Sequence, residues 1–203
     1  MFADPLSDHI TLLKIFHAFC AKNSMENADE REMALWCKEH MLDLAALREA
    51  RANRVHLVAS WRKMYPKDDV HQSYSITNED YSDRLRQALA RGLFINTAYC
   101  RLEDQHITVH GNYEGLIEPL SRLTGVKHEW IVYSKFYLGV KAYFYVATAM
   151  KPEWIEDLPY FHPDRLPQRF DMPKRLKVSK SLEAARQKKT WFKDLDHVER
   201  SAR

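Results

Sequence analysis

The stretch "HEWIVYSKFYLGVKAYFYVATAMKPEW", His128 to Trp154, decides the fold. It carries Trp130, Trp154, Tyr133, Tyr137, Tyr143, Tyr145, Phe136 and Phe144, with Lys135 and Lys141 among them. Aromatic and β-branched residues at this density favour a pleated, half-buried surface. Two strands are expected, 128–138 and 142–150, joined near Gly139. Alternation puts Trp130, Val132, Phe136 and Leu138 on one face, and Ile131, Tyr133, Lys135 and Tyr137 on the other. In the second strand Phe144, Val146, Thr148 and Met150 oppose Lys141, Tyr143 and Tyr145. One face should fill a core with Trp130, Val132, Phe136, Phe144 and Val146. The other mixes tyrosines with lysines, the combination that holds single-stranded nucleic acid by stacking bases and meeting phosphates. Tyr and Lys also populate solvated strand surfaces, so the residues alone leave both readings open.

Upstream of this stretch "QHITVH" alternates, "GNYEG" reads as a turn, and "LIEPL" is short and edge-like because of Pro119. So many short strands in about 60 residues suggest a small barrel of the OB type. A sandwich needs more strands than are available. "KPEWIEDL" should restart a helix, with Pro152 in its first turn.

The first half of the chain has a different period. Leu12, Ile15, Phe16 and Phe19 form one helical stripe, with Ser7 or Asp8 as cap. A second helix carries Met33, Trp36, Cys37 and Met41 on one side. A third carries Leu57, Val58, Trp61 and Met64 or Tyr65, and stops at Pro66. A fourth opens on a Thr77–Asp80 capping box and ends or bends at Gly92. The expected fold class is therefore α+β, with a helical bundle over 1–96, an OB-type barrel with a following helix over 97–160, and a basic tail over 161–203. The tail should be irregular, apart from a short amphipathic helix at "WFKDLDHV".

Charge follows the same division. The chain carries a net +3, yet from Asp164 onward 12 Lys/Arg stand against 6 Asp/Glu, which leaves the body slightly acidic. A basic tail suits an RNA or acidic partner, and equally a solubilising extension. No apolar run approaches the roughly 20 residues that span a bilayer, and the acidic N-terminus does not read as a signal peptide. Cys20, Cys37 and Cys100 are widely separated, with no paired spacing for disulfides or zinc, which suits a reducing, intracellular compartment. His106 and His110 share a strand face but sit about 13 Å apart, too far for one metal. Asp8 and His9 do not form a dyad, because helix neighbours do not face each other. No nucleophile triad, paired-carboxylate motif or phosphate-binding loop is present, so no catalytic residue is assigned.

Five segments occur in one order: "SDHITLLKIFHAF", "WCKEHMLDLAALREARANRVHL", "RLRQALARGLFINTA", "IEPLS" and "EWIVYSKFYLGVKAYFYVATAMKPEWI". Together, over Leu6 to Leu158, they resemble the C-terminal region of DEAH-box RNA helicases, nearest the pre-mRNA splicing and ribosome-biogenesis group. The resemblance implies a ratchet-like helical bundle followed by an OB fold, which close a single-stranded RNA channel over two RecA-like ATPase domains. It also implies a nuclear setting and G-patch or other protein activators. ATP and Mg²⁺ would belong to the RecA-like domains, so this chain needs no cofactor of its own and should not hydrolyse ATP alone. The chain is expected to be a portion of a longer helicase or a solitary remnant of one.

The same resemblance suggests the RNA-contacting residues. Ile117 to Ser121 corresponds to a His-Pro-Ser-Ser segment that approaches the RNA backbone. Pro119 and Ser121 match it, with Glu118 in place of His and Leu120 in place of Ser. Lys141 and Tyr143 match a family Lys and Tyr, while Tyr145 replaces a frequent Arg and Lys135 a common Glu. The RNA-binding set is then Ser121, Arg122, Lys135, Lys141 and Tyr143. Trp36, Cys37, Leu47, Arg54 and Leu57 match packing positions of the bundle, with Arg54 buried and paired. The alternative to RNA contact is a protein-interaction platform that docks helicase partners.

Overall fold

The computed structural model describes residues 2–23, 29–66, 80–102, 104–162 and 178–189. The fold is α+β. Its contacts divide it into two units, Met1–Phe2 with Thr11–Tyr81, and Ala3–Ile10 with Ser82–Arg203.

The first unit is helical: α1 (Asp8–Asn23) from Thr11 onward, α2 (Glu30–Glu39) and α3 (Leu44–Met64). Aspartates start the last two. Asp29 accepts a hydrogen bond from the Arg31 amide at 3.2 Å, and Asp43 accepts from Ala45 and Ala46 at 2.8 and 3.2 Å. Each carboxylate satisfies donors the helix leaves orphaned and faces the positive end of its dipole. Phe19, Met33 and Cys37 are buried, and Phe2, Trp36 and His40 meet edge-on. Helix α3 buries no residue at all. Leu57, Trp61 and Met64 of its apolar stripe lie exposed, and so does Arg54, contrary to expectation. Among the described residues the buried arginine is Arg86, in the other unit.

The second unit is built on five strands: β1 (Thr97–Leu102), β2 (Gln105–Thr108), β3 (Glu114–Ile117), β4 (Trp130–Leu138) and β5 (Ala142–Met150). They close in the order β1-β2-β3-β5-β4, with β4 returning to β1 and only the β3–β5 pair parallel. Closure removes the unpaired edges that a sheet of this size would otherwise present. The inside draws on every strand. Ala98, Ile117, Ile131, Tyr133, Phe144, Ala147 and Ala149 pack there with Leu123, and His106 of β2 meets Phe144 edge-on at 6.3 Å. Gly115 is obligatory for this packing, because a Cβ there would sit 2.8 Å from the Phe136 ring and 3.2 Å from the Ala142 carbonyl.

A second core lies on the outer wall. Ile107, Val109, Trp130, Val132 and Met150 are covered by Ala90 of α4 (Tyr81–Gly92), by Trp154, Ile155 and Phe161, and by Val178 and Leu182 of helix α5, residues 178–189. Arg86 of α4 is buried here. It pairs with Asp83, donates to the Ala149 carbonyl at 3.1 Å and lies 5.2 Å over the Trp154 ring. Its burial is tolerable because the charge is paired and hydrogen-bonded.

Three expectations are corrected by this arrangement. Helix α4 packs on the barrel, so the segment expected as one helical bundle over 1–96 divides near Tyr81. The helix expected at Pro152 is instead two short 3₁₀ turns, Pro152–Trp154 and Pro159–Phe161, each opened by its proline. The tail is not irregular over 178–189, where α5 packs Val178, Leu182 and Ala185, spaced i, i+4, i+7, inward. Arg186 locks it by donating to the Glu156 and Phe161 carbonyls, and Lys189 reaches the Glu156 carboxylate at 2.6 Å. The Thr77 capping box and "WFKDLDHV" lie outside the described residues.

Candidate nucleic-acid interface

Strands β4 and β5 stay in antiparallel register from Trp130–Met150 to Leu138–Ala142, except that the Ser134/Val146 pair drops out. Val146 there adopts a left-handed φ of 53°. A β-branched residue in that region is strained, and it resets which side each following residue takes. The expected faces therefore hold only for half of each strand. Trp130 and Val132 join the outer core, whereas Phe136 and Phe144 join Ile131 and Tyr133 inside. Val146 is only half-buried and does not fill the barrel. Tyr133, expected on the tyrosine–lysine face, is interior, and burial pushes its phenol up to about 12.

Beyond the break the outward face is a set of cross-strand pairs, Lys135 opposite Tyr145 and Tyr137 opposite Tyr143. The two β5 tyrosines stand edge-on at 6.5 Å. Lys135 and Tyr137 are exposed, Tyr143 and Tyr145 half-buried, and Lys141 is exposed in the turn. The Tyr137 ring lies against Gly139, where a Cβ would fall 2.7 Å from it. So Lys135, Lys141 and Tyr143 of the expected set share one hairpin, together with Tyr137 and Tyr145.

Ser121 and Arg122 lie elsewhere, in the β3–β4 loop. The Ser121 side chain is buried and its hydroxyl donates to Asp8 Oδ2 at 2.7 Å. The same carboxylate accepts from the Arg122 amide at 3.3 Å and the Ala147 amide at 2.9 Å. Asp8 thus takes up the Ala147 amide beside the left-handed Val146. Glu118 turns its carboxylate into its own loop, accepting from the Leu120 amide at 3.1 Å, and its carbonyl accepts from the Thr124 hydroxyl. Of the two expected contact residues in this loop, Arg122 is exposed and Ser121 is not.

Asp8 and His9 have separate structural tasks. Ser7 caps α1 by accepting from the Ile10 amide at 3.1 Å, and its hydroxyl lies 2.6 Å from Thr148 Oγ1. His9 bridges two strands, Nδ1 to Thr148 Oγ1 at 2.8 Å and Nε2 to Ser134 Oγ at 2.7 Å. Burial lowers its pKa against a weaker pull upward from Asp8. His106 also has its pKa lowered by burial, with Nε2 2.9 Å from the His128 carbonyl. Among the described residues no group of three His, Cys, Asp or Glu side chains is placed to hold a metal ion, and no helix is long and apolar enough to cross a membrane. The chain matches no protein-family model.

Proposed function

We propose that the chain is the C-terminal accessory module of a DEAH-box RNA helicase, a helical region followed by an OB-type barrel whose β4–β5 hairpin contacts single-stranded RNA. The observation that carries this reading is the pair of outward cross-strand contacts, Lys135–Tyr145 and Tyr137–Tyr143, ending in Lys141. Aromatic rings and ammonium groups on one exposed ribbon are the two components of single-strand binding. The strand order 1-2-3-5-4, closed through β1 and β4, supports the OB-type assignment. In the parent helicase the module would close the RNA channel over RecA-like domains that bind ATP and Mg²⁺.

The test is titration of a labelled single-stranded RNA by fluorescence anisotropy at two salt concentrations. Weak, salt-sensitive binding is expected, and removing both Tyr137 and Tyr143 should reduce it. Stacking is worth roughly 1–3 kcal/mol per base. Binding that ignores salt and both tyrosines defeats the reading. A protein-docking platform is the second reading. It is favoured by the apolar tip of the same hairpin, where Leu138 and Val140 are exposed. It takes over if RNA does not bind while a G-patch peptide does.

A further inference from the structure

A small apolar pocket opens beside Tyr143, at the end of the barrel where the β1–β2 turn meets the β3–β4 loop. Its volume is about 160 Å³, and Leu116, Ile117, Leu123, Val126 and Tyr143 form its walls. Asp104 is among the residues that line it. The Asp104 carboxylate is exposed and makes no ion pair or hydrogen bond with the described residues. Of the other polar groups nearby, Thr124 is engaged and the neutral His106 ring can donate to only one of the two carbonyls it faces. Thr124 donates to the Glu118 carbonyl, and the His106 ring nitrogens face the His128 and Asp104 carbonyls.

We propose that this pocket receives one unstacked nucleobase of the bound strand and prefers guanine. The proposal rests on the single-stranded RNA reading above and adds base selectivity to it. Three features lead to a base. A cavity of about 150 Å³ holds one benzene ring, so this pocket takes one six-membered ring with its remainder directed out through the mouth. Its walls are apolar, and a flat ring entering them loses water from both faces. Tyr143 belongs both to this wall and to the outward hairpin face, so the pocket is continuous with the candidate strand path.

Asp104 then selects among the bases. A carboxylate accepts only, and the Watson–Crick edge of an unpaired base is open to it. Guanine offers two adjacent donors on that edge, N1–H and the N2 amino group, matching two carboxylate oxygens. Cytosine and adenine offer an amino group beside an acceptor nitrogen that the carboxylate repels. Uracil offers one N–H flanked by two carbonyls. Guanine is the only base that offers two adjacent donors on that edge, with its O6 acceptor to one side of them, and a bidentate contact of this kind is worth roughly tenfold in discrimination.

Ribonucleoside monophosphates separate this proposal from the RNA reading, because all share one phosphate and differ only in the base. Guanosine, inosine and uridine monophosphates are titrated into the full chain, with the methyl NMR signals of Leu116, Leu123 and Val126 as readout. Guanosine monophosphate should move those signals and bind about tenfold more tightly than uridine monophosphate. Inosine monophosphate, which lacks the amino group, should fall between them. Asp104→Asn should abolish the preference, and Val126→Trp, a change at the exposed mouth, should block entry while the melting temperature is kept. Equal binding of all three nucleotides, or a preference that survives Asp104→Asn, overturns the pocket. The RNA reading is judged separately by the salt dependence of a uridine oligomer, which needs no guanine.

Discussion

From Trp130 to Tyr133, with Ala147 to Met150 opposite, every residue of the β4–β5 hairpin is buried. From Lys135 to Leu138, with Ala142 to Tyr145 opposite, only Phe144 is. The two halves share one ladder and one register, and the aromatic content of the second half is no lower. What separates them is covering. The first half has barrel interior on one side and α4, the 3₁₀ turns and α5 on the other. The second half keeps an interior only through Phe136 and Phe144, and leaves its tyrosines and lysines outward. One hairpin thus provides an anchor and a projecting ribbon, with the change of face at Ser134 and Val146 between them. Rigid support under an exposed aromatic ribbon is a useful arrangement for binding, because the ribbon itself needs little further ordering.

The largest effect should come from the one side chain that both halves depend on. Phe144 is fully buried and touches Tyr133, Phe136 and His106. Phe144→Ala is expected to cost about 3–5 kcal/mol. Tyr137→Ala, on the projecting half, should stay within about 0.5 kcal/mol of the parent. Chemical denaturation of the two variants side by side checks the contrast. Equal destabilisation would mean that the projecting half is also core.

Asp8 offers a smaller break at the junction. It accepts from the Ala147 amide, the Ser121 hydroxyl and the Arg122 amide. Asp8→Ala leaves the donors of two part-buried bonds, the Ala147 amide and the Ser121 hydroxyl, unsatisfied and should cost about 1–3 kcal/mol. Asp8→Asn keeps one acceptor oxygen and should be milder. An Asp8→Ala protein as stable as the parent would show that water replaces the carboxylate there.

How much of this is legible in the sequence follows from where the period is regular. The helices α1 to α4, the strands β4 and β5 and the turn at Gly139 stand in the sequence as stripes and alternation. The change of face at Ser134, which turns Ile131 and Tyr133 inward, does not, because a left-handed Val146 has no compositional signal; Val is among the residues least suited to it. Ser121 reads as a surface hydroxyl in "IEPLS", and only the fold brings Asp8 to it from 113 residues away. Tyr137 and Tyr145 lie on the expected face and join the site through their cross-strand partners. Helix α5 is hidden because its apolar spacing lies among Lys and Arg residues that read as a solvated tail. Asp104 gives no sign, since an aspartate in a turn is ordinary and its pocket is assembled from two connections and three strands.

Acid should act on the anchored half in a graded way. His9 and His106 are both held below the ordinary imidazole value, burial being the main cause. Their folded state prefers the neutral ring, so their contribution is fully present above the unfolded value of about 6.5. It is lost progressively as pH falls through the lowered folded values, where the unfolded chain binds more protons. The melting temperature should therefore decline between about pH 7 and about pH 5. His9→Gln should show a shallower decline, because the bridge between Thr148 and Ser134 no longer titrates. An unchanged slope would assign the acid sensitivity to His106, His17 and His128, which burial also holds low.

The smallest effect concerns the projecting half alone. Lys141 lies exposed in the turn. Lys141→Ala removes no packing, so its melting temperature should match the parent. RNA binding should weaken alike for every sequence, because an ammonium group meets phosphate rather than base. Removing one neutralised phosphate lowers the log–log salt slope by roughly 0.7 for a single strand. Titration of the parent and Lys141→Ala at low and moderate salt should give curves that differ most at low salt and converge as screening rises. Parallel curves would put the phosphate interaction on another cation, with Lys135 and Arg122 the next to change. Identical curves at both salts would leave the ribbon without a role in RNA binding, and the exposed Leu138 and Val140 at its tip would then favour a protein partner.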